Sequence, residues 1–216
     1  MHYLKRAFKR LRRTPTLASR EAYARWAENY PPEAHNPFMA LEQDTMRAML
    51  PPLQGKRVLD LACGTGRWGK IATDAGTAMV FSTDDSLPML LAGRPSLACA
   101  GTMTALPYRD SCADVILCGL AIGHTRNLAA TLREIKRVLV PGGMALLSDL
   151  HPVQAWLGAR RTFQSGGQTL AVEHHIHSYE HYHLAAKEIG LTIDHIREAG
   201  VSPGDPPVLL VLQLSS

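Results

Sequence analysis

Asp60, Gly64, Gly66 and Asp84 have the types and spacing to hold a small charged ligand. Asp60 lies in an apolar run, Val58 to Leu61, that reads as a buried strand, and a turn follows that lacks side chains at Gly64 and Gly66. A helix expected over 67–75 begins directly after the bend, so its first N–H groups point at whatever the bend holds. With Gly69 the bend also satisfies G-x-G-x-x-G, which suits a dinucleotide. Asp60 separates the two readings. A carboxylate placed before the first glycine repels a diphosphate and attracts a ligand carrying positive charge.

A ligand with an ammonium and a sulfonium, such as S-adenosylmethionine, meets that requirement. Asp84 closes a second strand, 78–84, at the point where a carboxylate accepts both hydroxyls of an adenosine ribose, whichever cofactor supplies it. Candidate acid–base groups lie beyond two later strands: His124 after 113–119, and His151 after 144–150. Open parallel sheets hold ligands beyond such strand ends. His151 heads the candidate bases, with Asp149 as an alternative base or an orienting acid; the competing role for His151 is to cap the strand end or bind water. His124 either packs or takes part in chemistry. His35, before Asn36 and Pro37, either starts a helix or faces the substrate. The segment 173–183 concentrates five of the ten histidines. Zinc needs convergent donors such as His177, His181 and Glu173, but on a strand His174 faces away from His175 and His177. No metal is expected, and His175 or His177 is expected to contact substrate.

The run Asp60 to Gly66 closely resembles the first motif of class I S-adenosylmethionine-dependent methyltransferases, and further matches follow in order. Tyr23 and Tyr30 fit the Y-x-x-x-A-x-x-Y of small-molecule members, in which that helix covers the cofactor. Asp84 to Leu90 is similar to D-x-S-x-x-M-L, and Gly101 to Asp110 to G-D-A-x-x-L-P-F-x-D, with Thr102 where the family has aspartate near the adenine amino group. There the Met103 N–H could meet the adenine ring. Residues 113–119 resemble the fourth strand, and Leu132 to Gly143 resembles L-x-E-x-x-R-V-L-x-P-G-G.

The resemblance implies a doubly wound, Rossmann-like α/β fold with a seven-stranded, mostly parallel sheet in the order 3-2-1-4-5-7-6 and N-terminal lid helices. It implies S-adenosyl-L-methionine as cofactor and in-line transfer of its methyl group to an O, N or C nucleophile of a small-molecule acceptor. Carried over residue by residue, the cofactor contacts are Tyr23, Tyr30, Asp60, Ala62, Gly64, Gly66, Asp84, Asp85, Met89, Thr102, Met103 and Gly119. His151, His124 and His35 remain the catalytic candidates. The rival readings are a nucleotide-dependent oxidoreductase and a methyltransferase-fold protein that binds without catalysis.

The elements that must position these residues divide into a basic segment with lid helices, 1–52, and a compact domain, 53–216. Glu21 to Tyr30 forms a helix with Tyr23, Trp26 and Tyr30 on one face, stopped by Pro31 and Pro32. A second helix, 38–50, ends at Pro51. Asn127 caps a helix through Val138, and Pro141-Gly142-Gly143 turns into the strand from Met144. A hairpin about Ser165-Gly166-Gly167 is an insertion of the kind that shapes acceptor pockets in the family, and it brings Arg160 and Arg161 within reach of an acidic substrate. A helix over 179–189 and strands over 191–197 and 207–214 complete an antiparallel edge.

Composition narrows the partners. Residues 1–13 hold six basic side chains and no acid, with Leu4, Phe8 and Leu11 at helical spacing, a pattern that suits an anionic membrane surface or a solvated helix. The remaining chain is slightly acidic, which argues against nucleic acid. Cys63, Cys99, Cys112 and Cys118 show no C-x-x-C spacing and are expected as reduced thiols. No apolar run is long enough to span a bilayer, so a cytoplasmic protein is expected.

Overall fold

The computed structural model describes residues 14–202 and 204–216. Seven strands form the main sheet: β2 (Arg57–Leu61), β3 (Met79–Asp84), β4 (Ala98–Ala100), β5 (Ala113–Cys118), β6 (Leu139–Leu150), β9 (Thr192–Ala199) and β10 (Leu209–Ser215). Their order is β4-β3-β2-β5-β6-β10-β9. Renumbered within the sheet, this is the 3-2-1-4-5-7-6 order implied by the resemblance. Only β10 runs against its neighbours. The central strands are buried on both faces, which is why they read as continuous apolar runs.

Strand alternation divides the core in two. Leu59, Leu61, Ile116, Cys118 and Leu147 pack with Leu132 and Ile135 of α5 (Leu128–Val138) and Tyr182 of α7 (Tyr179–Ile189). Val58, Val115, Leu117 and Leu146 point the other way, against Met39 and Met46 of α2 (Pro37–Met49) and Trp68 of α3 (Arg67–Asp74). The sheet is thus covered on both sides and leaves the carboxyl ends of its parallel strands free to form a site.

A cap lies over those ends. The two-residue strand β1 (Thr16–Leu17) pairs in parallel with β8 (Gln168–Val172), which pairs antiparallel with β7 (Thr162–Ser165). α1 (Ser19–Trp26) lays Ala22, Tyr23 and Trp26 on Phe163, Leu170 and Val172. The remaining helices are α4 (Leu87–Gly93) and α6 (Pro152–Trp156).

Several boundaries differ from those read in the sequence. α1 stops at Trp26 and a 3-10 turn, Ala27–Asn29, carries the chain to Tyr30. The Pro141-Gly142-Gly143 segment lies inside β6, which begins directly at Leu139; Gly142 takes φ +74°, and a register shift between Ala113 and Val115 absorbs the irregularity. Residues 173–178 are neither strand nor helix, so the expected alternation of their histidines fails. The amphipathic segment 1–13 lies outside the described residues. Among the described residues no helix is long and apolar enough to cross a membrane.

Candidate cofactor and acceptor site

A cleft of about 880 Å³ opens at the ends of β2, β3 and β5. Its floor is the bend after β2, where Ala62, Gly64 and Gly66 all take positive φ, at 52°, 56° and 91°. Gly64 faces open space, whereas a Cβ on Gly66 would meet Pro95 Cβ at 2.9 Å. Gly66 therefore shapes the bend by close packing and is not among the residues that line the cleft. Ala62, Gly64, Asp85, Met89, Met103 and Gly119 do line it. Thr102 does not: it bridges to Ala105, and its hydroxyl meets that of Thr104 at 3.3 Å.

Both acids of the floor are held by backbone donors. The Gly69 N–H donates to Asp60 Oδ2 at 2.6 Å, and the N–H groups of Gly64 and Ser86 donate to the two oxygens of Asp84 at 2.8 Å each. Burial pushes Asp60 up to about 7 and Asp84 up to about 6, against the lowering effect of those donors. Neither forms an ion pair among the described residues. A carboxylate offers about four lone-pair directions, so each retains accepting capacity. Two acids without an ion-pair partner, beside a bend with no side chain at Gly64 or Gly66, favour a cationic nucleoside, which draws them into the charged form, over a diphosphate.

The roof is the aromatic face of α1. The Tyr23 hydroxyl donates to His124 Nε2 at 3.0 Å, and His124 Nδ1 donates to the Glu173 carbonyl at 2.9 Å. Burial pushes His124 down to about 4, so it is neutral and poorly suited to hold a proton. It lines the cleft, but its ring positions Tyr23. Tyr30 accepts a hydrogen bond from Arg161 at 3.2 Å.

A second cavity, about 820 Å³, shares Met39, Leu120, His124 and Arg161 with the first. Here the structure brings together a pair that the sequence reading did not: His174 Nε2 donates to Asp149 Oδ1 at 3.0 Å. Gly123 makes the pair fit, because a Cβ there would overlap both side chains. His151 was expected in this position. It instead caps α6, its Nδ1 accepting from the Val153 N–H at 3.2 Å while Nε2 donates to Glu198 at 2.9 Å, and it lines neither cavity. His35 is exposed, edge-on to Tyr30 at 5.6 Å, and also lines neither. His177 donates to the Thr125 carbonyl at 2.9 Å and His175 pairs with Glu173 at 3.8 Å, so neither is placed as a substrate contact. Among the described residues no cluster could hold a metal ion.

Glu42 was also missed. Fully buried, it pairs with Arg67 at 2.6 Å and accepts from Trp68 Nε1 at 3.1 Å and Ser148 Oγ at 2.8 Å, while Ser148 accepts from the Leu120 N–H. Its signal was a charge on the apolar stripe of Met39 and Met46.

This sheet order, bend and acid pair define a class I S-adenosylmethionine-dependent methyltransferase domain. Residues 59–147 match the model of a family described as a methyltransferase domain. A malonyl-[acyl-carrier protein] O-methyltransferase of Pseudescherichia vulneris is 32% identical over 147 residues, 62% of this chain and 57% of the relative. A demethylmenaquinone methyltransferase of Renibacterium salmoninarum is 37% identical over 103 residues, 45% and 43% of the two chains. The chain thus spans about half the length of these curated relatives. An S-adenosylmethionine-dependent methyltransferase structure from Mesorhizobium loti superposes with TM-score 0.69 at 22% identity, covering 84% of this chain and all of that one, a likeness of fold. The cofactor that goes with the family is S-adenosylmethionine, and the floor of the cleft fits it.

Proposed function

We propose that the protein transfers a methyl group from S-adenosylmethionine to a small-molecule acceptor lodged in the second cavity. The observation that carries this reading is Asp60, a buried carboxyl group with no ion-pair partner among the described residues, beside a bend that bears no side chain at Gly64 or Gly66. When bound, the cofactor supplies a sulfonium-activated methyl group, so the protein needs no nucleophile of its own. Asp60 would hold the ammonium of the amino-acid end, Asp84 the ribose hydroxyls, and Met89 and Met103 the adenine faces. Tyr23 and Tyr30 would shut out water from above. Where the acceptor must lose a proton, His174 Nδ1 takes it, with Asp149 fixing the ring and stabilising the charged form. The work left to the protein is chiefly alignment.

The named relatives differ in their acceptors, so likeness to them does not select one. The four free cysteines suit a reducing compartment, and the reading places the enzyme in the cytoplasm, with residues 1–52 contributing the lid and 53–216 the catalytic body. Calorimetry tests the proposal: S-adenosylhomocysteine is expected to bind and nicotinamide dinucleotides are not. Preference for a dinucleotide would sink it. Binding of S-adenosylhomocysteine without methyl transfer across a broad acceptor panel would favour the non-catalytic alternative.

A further inference from the structure

The wall shared by the two cavities carries a guanidinium with no acid at ion-pair distance among the described residues, Asp149 and Glu42 acting on it only from farther off. Arg161 donates to the Leu120 carbonyl at 3.2 Å and to the Tyr30 hydroxyl at 3.2 Å, and its Cζ lies 5.6 and 5.8 Å from the ring centres of Tyr23 and Trp26. Among the described residues it forms no ion pair. The neighbouring arginines are committed elsewhere. Arg67 is paired with Glu42 at 2.6 Å, and Arg160 donates to the Thr14 carbonyl and the Thr16 hydroxyl. Arg161, by contrast, has no carboxylate partner among the described residues and keeps N–H groups for a ligand, with its Cζ over the rings of Tyr23 and Trp26.

An unanswered guanidinium inside a cavity calls for an anion, and its planar fork suits the two oxygens of a carboxylate. The second cavity describes the rest of that anion. Trp26, Phe38, Met39, Leu120 and Leu150 supply apolar wall, and its acid, Asp149, is already bonded to His174. Small polar molecules would leave most of this wall unsatisfied.

We infer that the acceptor is an organic acid, an apolar body bearing a carboxylate, anchored by Arg161 in the second cavity. The inference rests on the methyl-transfer reading above and deepens it. One other carboxylate has access to Arg161, that of the amino-acid end of the cofactor, because Arg161 also lines the first cleft. The test must separate the two sources.

Calorimetry on the full chain saturated with S-adenosylhomocysteine would use phenylacetate, octanoate and malonate as probes, each against its amide. At least one acid is expected to bind tenfold or more tightly than its amide, and Arg161→Gln to remove that preference while Arg161→Lys retains part of it. S-adenosylhomocysteine affinity of the Gln variant, within about threefold of the parent, shows that the fold and cofactor site survive. If no acid is preferred over its amide, the anchor is refuted. If Arg161→Gln instead weakens S-adenosylhomocysteine tenfold without weakening 5′-methylthioadenosine, which lacks the carboxylate, Arg161 serves the cofactor and the inference falls. Failure of the parent protein to bind S-adenosylhomocysteine at all would overturn the underlying reading instead.

Discussion

Asp60 is a residue whose task opposes stability. In the unliganded fold it keeps its proton up to about pH 7, whereas the unfolded chain releases it near 3.8. Between those values the native state binds more protons, so this contribution to stability is complete below about pH 4 and is lost as pH rises through 7. Moving the carboxyl from 3.8 to about 7 corresponds to ~4 kcal/mol at most. Asp60→Asn keeps an oxygen for the Gly69 N–H and removes the charge. The unliganded variant is therefore expected to melt several degrees above the parent at pH 8 and level with it near pH 4, and S-adenosylhomocysteine should no longer shift it. In the parent, affinity for that ligand should fall up to tenfold per unit as pH drops below 7, measurable by calorimetry between pH 5.5 and 8. For proton removal, His174→Ala is expected to lower kcat about 10²-fold, with cofactor affinity retained. Gly123→Ala should mimic it by displacing the ring from Asp149. The two floor acids were legible because strand-end residues at a fixed offset from glycines have one place to point. His174 was not, because the chain at 173–178 leaves strand geometry and its side-chain directions follow tertiary contacts alone.

Elements whose ends carry their own chemistry were read closely. Asn36, Asn127 and Ser178 each accept from a backbone N–H three residues on, at 2.9, 3.0 and 3.3 Å, and α2, α5 and α7 begin just beyond them. Gly190 closes α7 with φ +70°. β1 and α6 went unread, being too short to show a period; β1 exists because β8 gives it an edge to pair with, and α6 because His151 and Pro152 begin a turn. What joins the lid to the body is likewise tertiary. Glu42 sends one side chain from α2 to α3 and β6, so Glu42→Ala leaves Arg67 without its counter-ion and three donors without an acceptor. Such a break is expected to cost ~3–5 kcal/mol, read as a lowered denaturant midpoint. Hydrogen exchange should quicken first in α2. Glu42→Gln, which keeps two of the contacts, should lose less.

At the scale of the molecule, two distant segments build one cap. β1 and α1 from the N-terminal side and the β7–β8 insertion share a small core of Ala22, Phe163, Leu170 and Val172, while Tyr23 and Arg161 turn their polar ends to the cleft. Local periodicity gave the hairpin and the aromatic helix separately; their union depends on contacts more than 130 residues apart in the chain, such as Arg161 with Tyr30. A ligand between cap and floor should therefore act on both segments together. At a free concentration a hundredfold above its dissociation constant, S-adenosylhomocysteine should add about 2.7 kcal/mol to stability, a rise in Tm of ~5–10 °C for a chain of this length. Amide exchange should slow across residues 19–30 and 161–173 as one unit, along with the bend at 62–66. A nicotinamide dinucleotide should leave all three regions unchanged. Protection confined to the bend would mean that the cap is indifferent to the cofactor, and Tyr23 and Tyr30 would then have to be reassigned from closing the site to packing the cap.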